Sequence, residues 1–74
     1  MKYKLPELDL HGIYHVEVES LVNKFLEDNQ DNLPVLIITG NSDRMKEIVK
    51  KVINERNLDM RIKSHYNLGS FIVS

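Results

Sequence analysis

The sequence predicts an α/β fold of order β-α-β-α-β-β: a two-layer sandwich whose four-stranded mixed sheet carries both helices on one face. Three observations carry this expectation. Residues 8–12, LDLHG, alternate leucine with aspartate and histidine until a glycine breaks the run, the period of a short half-buried strand. Val35 to Thr39 is a continuous run rich in β-branched residues between Pro34 and Gly40, as a strand covered on both faces requires. Each run leads into apolar residues at helical spacing. A strand–helix–strand crossover is right-handed almost without exception, so two in succession cover the same side of the sheet.

Residues 1–7 read as a leader, with Pro6 disfavouring helix there, and residues 8–74 as a single domain. In the first strand Leu8 and Leu10 face the core, while Asp9 and His11 share the other face. Val18, Leu21, Val22, Phe25 and Leu26 then keep one stripe of a helix over about residues 15–29, with Glu17 and Glu19 near its positive end. The polar cluster from Asn29 to Pro34 ends it. After the second strand, Met45, Ile48, Val49, Val52 and Ile53 repeat the helical spacing. Asn41, Ser42 or Asp43 caps that helix, which runs to about Asn57. Met60, Ile62 and Ser64 alternate with Arg61, Lys63 and His65 as a third strand, YNLG reads as a turn, and Phe71–Val73 form the last strand. Asp9, His11, Arg61, Lys63 and His65 fall out of phase with the core positions, which directs them to the open face of the sheet.

Seventy-four residues make one thin core and no second lobe, because a chain this short buries only about 60% of its unfolded surface. There is no cysteine, which removes disulfides, thiolate metal sites and cysteine nucleophiles. No apolar run is long enough to span a bilayer and no signal-peptide pattern opens the chain, so the expectation is a soluble cytoplasmic domain without a membrane partner. The net charge of −1 hides an asymmetry. Residues 1–40 carry three lysines against seven acids, and residues 41–74 carry seven basic residues against four acids. A basic half fits a polyanionic partner, and equally a solvated helix face.

Ligands of open α/β sheets bind beyond the carboxyl ends of the parallel strands. Two glycine-containing loops, after LDLHG and IITG, are expected there, each offering backbone N–H groups at a helix start to a phosphate. Asp9 and His11 are two residues apart, about 6.6 Å along a strand, so a carboxylate can orient an imidazole there for general acid–base work. The same spacing also describes a surface ion pair beside a turn, worth about 0–1 kcal/mol. His15 lies four residues beyond His11, but Gly12 interrupts the helical face that a metal-binding pair needs.

Taken together, LDLHG opening one helix, IITG opening a second and a hairpin ending in LGSFIVS resemble a small MutS-related (Smr) domain over nearly the whole chain. The resemblance implies the fold of the C-terminal domain of a bacterial translation initiation factor, with strand order 1-2-4-3 and the last strand central and antiparallel. It also implies binding of DNA or RNA and, in several members, nicking or cleavage. In this sequence Asp9 and His11 match the motif tied to cleavage. Thr39 and Gly40 match the start of a second motif, usually His or Thr, Gly, any residue, Gly. Here Asn41 and Ser42 follow instead, and Arg44 and Met45 stand where a His–Ser pair is common. The expected roles are therefore proton transfer by His11 oriented by Asp9, and phosphate contacts from Gly40, Asn41, Ser42, Arg44, Arg61, Lys63 and His65. One Asp and one His do not make a complete metal site, and whether a divalent ion takes part is left open, as is the oligomeric state. The rivals are a binding module without catalysis and a protein-interaction domain.

Overall fold

The computed structural model describes residues 4–64 and 67–74. Along the chain it contains β1 (Glu7–Asp9), α1 (His15–Asp28), β2 (Val35–Ile38), α2 (Asp43–Glu55), β3 (Met60–Ser64) and β4 (Asn67–Val73). The sheet order is β1-β2-β4-β3. β1 and β2 are parallel, whereas β4 runs antiparallel to both of its neighbours, β2 and β3.

Register decides which side chains share a face. Val35 lies opposite Val73 and Ile37 opposite Phe71, and one strand further out Met60 and Ile62 join the same rows. Val35, Ile37 and Val73 belong to one core cluster that also holds Val18, Val22 and Leu26 of α1 and Met45, Val49, Val52 and Ile53 of α2. Both helices therefore draw their buried stripes onto the side of the sheet bearing Val35 and Ile37. The opposite side carries two rows. Glu7, Leu36, Ile72 and Arg61 form one, and Asp9, Ile38 and Ser70 form the other, with Lys63 just beyond Ile62 at the far edge.

β2 is buried even on that second side, Leu36 being only 6% exposed. No third layer is needed for this. Lys4, Leu5, Glu7 and Lys63 surround Leu36 in a groove of about 290 Å³, and the stems of long charged side chains cover apolar floor while their heads stay in water.

Both ends of α2 are closed by local hydrogen bonds. Ser42 caps α2, its Oγ accepting from the N–H of Met45 at 3.1 Å. At the other end Asn57 takes a positive φ of 59°, the Asn57 N–H donates to Asn54 O and the Leu58 N–H to Ile53 O. This is the paired pattern of a Schellman stop, and it closes the helix at Glu55, two residues earlier than the hydrophobic spacing alone predicts. α1 and α2 are tied by Arg56, whose guanidinium donates to Asn23 Oδ1 at 2.9 Å and to Asn23 O at 3.2 Å. Arg56→Ala removes two charge-assisted bonds from a half-buried site, and a loss of about 1–2 kcal/mol is expected in urea unfolding. An unchanged midpoint would show the tie to be incidental.

Three sequence expectations need correction. Gly69 is not part of a turn, because β4 begins at Asn67 and NLGS belongs to the strand. The register slips between Ile62 and Ser64, so several β4 residues oppose Lys63, as in a bulge. His11 lies outside β1, which stops at Asp9. Finally, Ile62 is 51% exposed, because β3 is an edge strand and its helix-side row outruns the cover of α2.

Candidate functional site

The carboxyl ends of the parallel pair β1 and β2 lie side by side, and both motifs are there. After Asp9 the chain turns sharply. The Asp9 carboxylate accepts from the main-chain N–H of His11 at 2.9 Å, a side-chain-closed turn of the kind that Asp and Asn make readily. Leu10 is fully buried beneath this turn and its N–H donates to Ile38 O at 2.8 Å. Gly12, at φ 81°, completes the reversal into α1.

The second loop is fixed by β4. The Gly69 carbonyl accepts from the Thr39 N–H at 2.7 Å and the Gly40 N–H at 3.2 Å. The Thr39 hydroxyl lies 2.9 Å from Gly40 O and 3.3 Å from Gly69 O. A Cβ built on Gly69 would sit 2.7–2.8 Å from Gly40 O, C and Cα, so only glycine lets β4 pass this close. Gly40 itself has φ 71°, and a Cβ there would meet His11 Cδ2 at 3.7 Å. The His11 ring is thus brought against the second loop, across the boundary between two motifs 29 residues apart in sequence.

The site differs from the expected one in four respects. Asp9 binds the backbone of His11, and among the described residues no hydrogen bond or ion pair joins the Asp9 carboxylate to the His11 imidazole. The Gly40 N–H is engaged with Gly69 O, so it is not free for a phosphate; this leaves the N–H groups from Asn41 to Arg44 as the loop's open donors among the described residues. Arg44 is paired with Glu47 at 3.4 Å, both largely exposed, an arrangement that a polyanion can displace at little cost. Arg61 and Lys63 belong to β3, three strand spacings or about 14 Å from β1. They share the sheet face of Asp9 without adjoining it, and Lys63 leans inward to line the groove over Leu36. His65 lies outside the described residues.

Gly69 is the position shaping this corner that sequence reasoning missed. The stretch YNLG reads as turn chemistry, and nothing local reveals that the neighbour of Gly69 across the sheet is another glycine. Among the described residues no group of three or more His, Asp or Glu side chains is placed to hold a metal ion, and none of the helices is long and apolar enough to cross a membrane.

The fold and site together define a small two-layer α/β domain with one polar corner at the ends of its parallel strands. Compared with models of protein families, with curated proteins and with solved structures, the chain matches none.

Proposed function

We propose that this chain is an Smr-like nucleic-acid-binding domain that cleaves a phosphodiester at the corner formed by Asp9, His11 and Gly40. The observation that carries the reading is the meeting of His11 with Gly40. It gathers an imidazole, a carboxylate and the open start of α2 at the carboxyl ends of parallel strands, where ligands of such sheets bind. In this reading a phosphate lies against the N–H groups from Asn41 to Arg44, favoured by the positive end of α2. His11 moves the proton of the attacking water or of the leaving oxygen. Asp9 fixes the turn that aims the ring and places its negative charge in the same corner. No step is routed through a metal: among the described residues no group of three or more His, Asp or Glu side chains is placed to hold one.

One observation favours a second reading, binding without cleavage. The Asp9 carboxylate is used on a main-chain N–H, which is sufficient reason for an aspartate before a turn. End-labelled single-stranded, duplex and hairpin DNA and RNA, each incubated with the purified protein and with Mg²⁺ or Mn²⁺, separate the two. New product bands that disappear with His11→Ala support cleavage; retarded but intact substrate supports the binder. Neither binding nor cleavage would leave a protein-interaction domain.

The distance from Arg61 and Lys63 to the corner gives a further expectation. These residues would contact phosphates away from the scissile one, so Arg61→Ala and Lys63→Ala should weaken binding of all sequences alike. Each should lower the slope of log affinity against log salt by about one. Cleavage at saturating substrate should be unchanged. Salt-independent affinity would remove this surface from the reading.

A further inference from the structure

The two free edges of the sheet match one another, and we infer that the chain associates head to tail with further copies of itself through them. Among the described residues nothing pairs with the outer side of β1 or of β3. β1 offers Glu7-Leu8-Asp9 and β3 offers Arg61-Ile62-Lys63, acid–apolar–acid against base–apolar–base. Register puts Glu7 in one row with Arg61, and both lie on the open face. Leu8, opposite Ile37, lies on the helix side with Ile62. Every residue of one triplet thus has its complement, on the same face, in the other.

Strand direction agrees. β1 is parallel to β2, and two antiparallel steps through β4 return β3 to the same direction. A second copy laid beside the first in the same orientation therefore sets its β1 parallel to the first copy's β3, with both helical layers on one side.

Hydrogen-bond parity agrees as well. The Leu36 N–H donates to Pro6 O and the Leu10 N–H to Ile38 O, so the even-numbered residues of β1 bond inward, and Glu7 and Asp9 present their main-chain groups outward. Asp59 and Ser74 exchange both N–H···O bonds, at 2.8 and 3.1 Å. The odd-numbered residues at the start of β3 accordingly bond inward, leaving Met60 and Ile62 to face out. In a parallel ladder a residue bonds to the two that flank its partner. Ile62 would bond to Glu7 and Asp9 of the next copy, which sets Ile62 beside Leu8, Arg61 beside Glu7 and Lys63 beside Asp9. Among the registers that this parity allows, the one that sets Ile62 beside Leu8 pairs both charges and covers Ile62.

Pairing of like edges is opposed. Two β3 strands around a two-fold axis set Arg61 or Lys63 against a cation, and two β1 strands set acid against acid. Charges on an edge strand also protect it from indiscriminate pairing, but protection alone does not require opposite signs on the two edges in matching register. Because the contact joins unlike edges, it is heterologous and gives an open series of oligomers, not a closed dimer. It also brings Lys63 of one copy within one strand spacing of the Asp9 corner of the next. The inference goes beyond the nucleic-acid reading and does not depend on it.

Sedimentation velocity of the full chain without nucleic acid tests this. The average mass should rise with concentration past that of a dimer and fall as salt screens the charge pairs. Glu7→Arg and Arg61→Glu should each weaken association about tenfold, since each replaces an attractive pair by a like-charged one. The double variant, Glu7→Arg with Arg61→Glu, should restore it to near the level of the unaltered chain. Circular dichroism checks the fold of each variant, and if Glu7→Arg fails to fold, Arg61→Glu with its salt dependence decides. A monomer at every concentration, a closed dimer, or single reversals without effect would overturn the inference.

Discussion

Gly69→Ala is expected to destabilise the protein by about 3 kcal/mol or more, toward the upper end of what overpacking costs. The new methyl group would lie 2.7–2.8 Å from three main-chain atoms of Gly40, and main chain cannot rotate away as a side chain can. Relief requires β4 to separate from the end of β2, which would break the bonds from the Thr39 and Gly40 N–H groups to Gly69 O. A domain of this length has about 4–11 kcal/mol of stability in all, so the variant should melt far below the unaltered protein. Gly12→Ala and Gly40→Ala are the controls. Each forces an alanine into a left-handed conformation, at φ 81° and 71°, for about 1–2 kcal/mol. Neither meets a backbone atom within 4 Å. The order of urea midpoints should therefore place Gly69→Ala lowest. A Gly69→Ala midpoint equal to that of Gly12→Ala would mean that the close approach of β4 to Gly40 is not a constraint.

The second large effect concerns the polar corner. With a substrate that the protein cleaves, His11→Ala should reduce the rate about 10²–10⁴-fold, the usual contribution of a positioned acid–base group. Binding should hardly change, because the α2 N–H groups and the basic residues are untouched. Asp9→Asn is the more informative partner. Asparagine retains an oxygen that can accept from the His11 N–H, so the turn survives while the charge is lost. Asp9→Ala loses both. If Asp9 acts through its charge, Asn and Ala should be comparably slow. If it acts only as a turn residue, Asn should cleave almost normally, Ala should be slow, and its folding stability should fall by about 1 kcal/mol. Losses in the double variant of Asp9→Asn with His11→Ala should not add where the two act as a unit. Normal cleavage by His11→Ala would remove the imidazole from the mechanism altogether.

Much of the architecture could be read from the chain because it rests on local signals. The helical spacing identified the stripes that enter the core through Val18, Val22 and Leu26 and through Met45, Val49, Val52 and Ile53, with Phe25 and Ile48 partly buried against them; it also took in Leu21, which is 36% exposed. The choice of Ser42 as cap needed only a hydroxyl three residues before a main-chain N–H. The end of α2 was harder. Asn57 favours a left-handed stop, yet the pattern of apolar residues continues past it, and the bond from Leu58 to Ile53 decides the matter.

Where residues far apart in sequence meet, local signals fell short. Periodicity put Asp9 and His11 together on one strand face, whereas the chain leaves the strand after Asp9 and the carboxylate bonds to the backbone. Charge composition grouped Arg61 and Lys63 with the corner because all share the open face. Sheet order separates them, since β4 inserts between β2 and β3.

What the sequence determined by itself is the order of the elements, the buried stripes of the helices and the cap of α2, because side-chain period and capping chemistry act over a few residues. The strand order 1-2-4-3 is implied by the resemblance and is the one observed; only the tertiary structure decided which backbones and charges meet across it. That assignment brings Gly69 onto Gly40 and Gly40 onto His11, and it leaves an acidic edge and a basic edge at opposite ends of one sheet. Neither arrangement has a local signature, because each is a contact between backbones or charges that chain proximity does not bring together, and each exists only once β4 has taken the central place between β2 and β3.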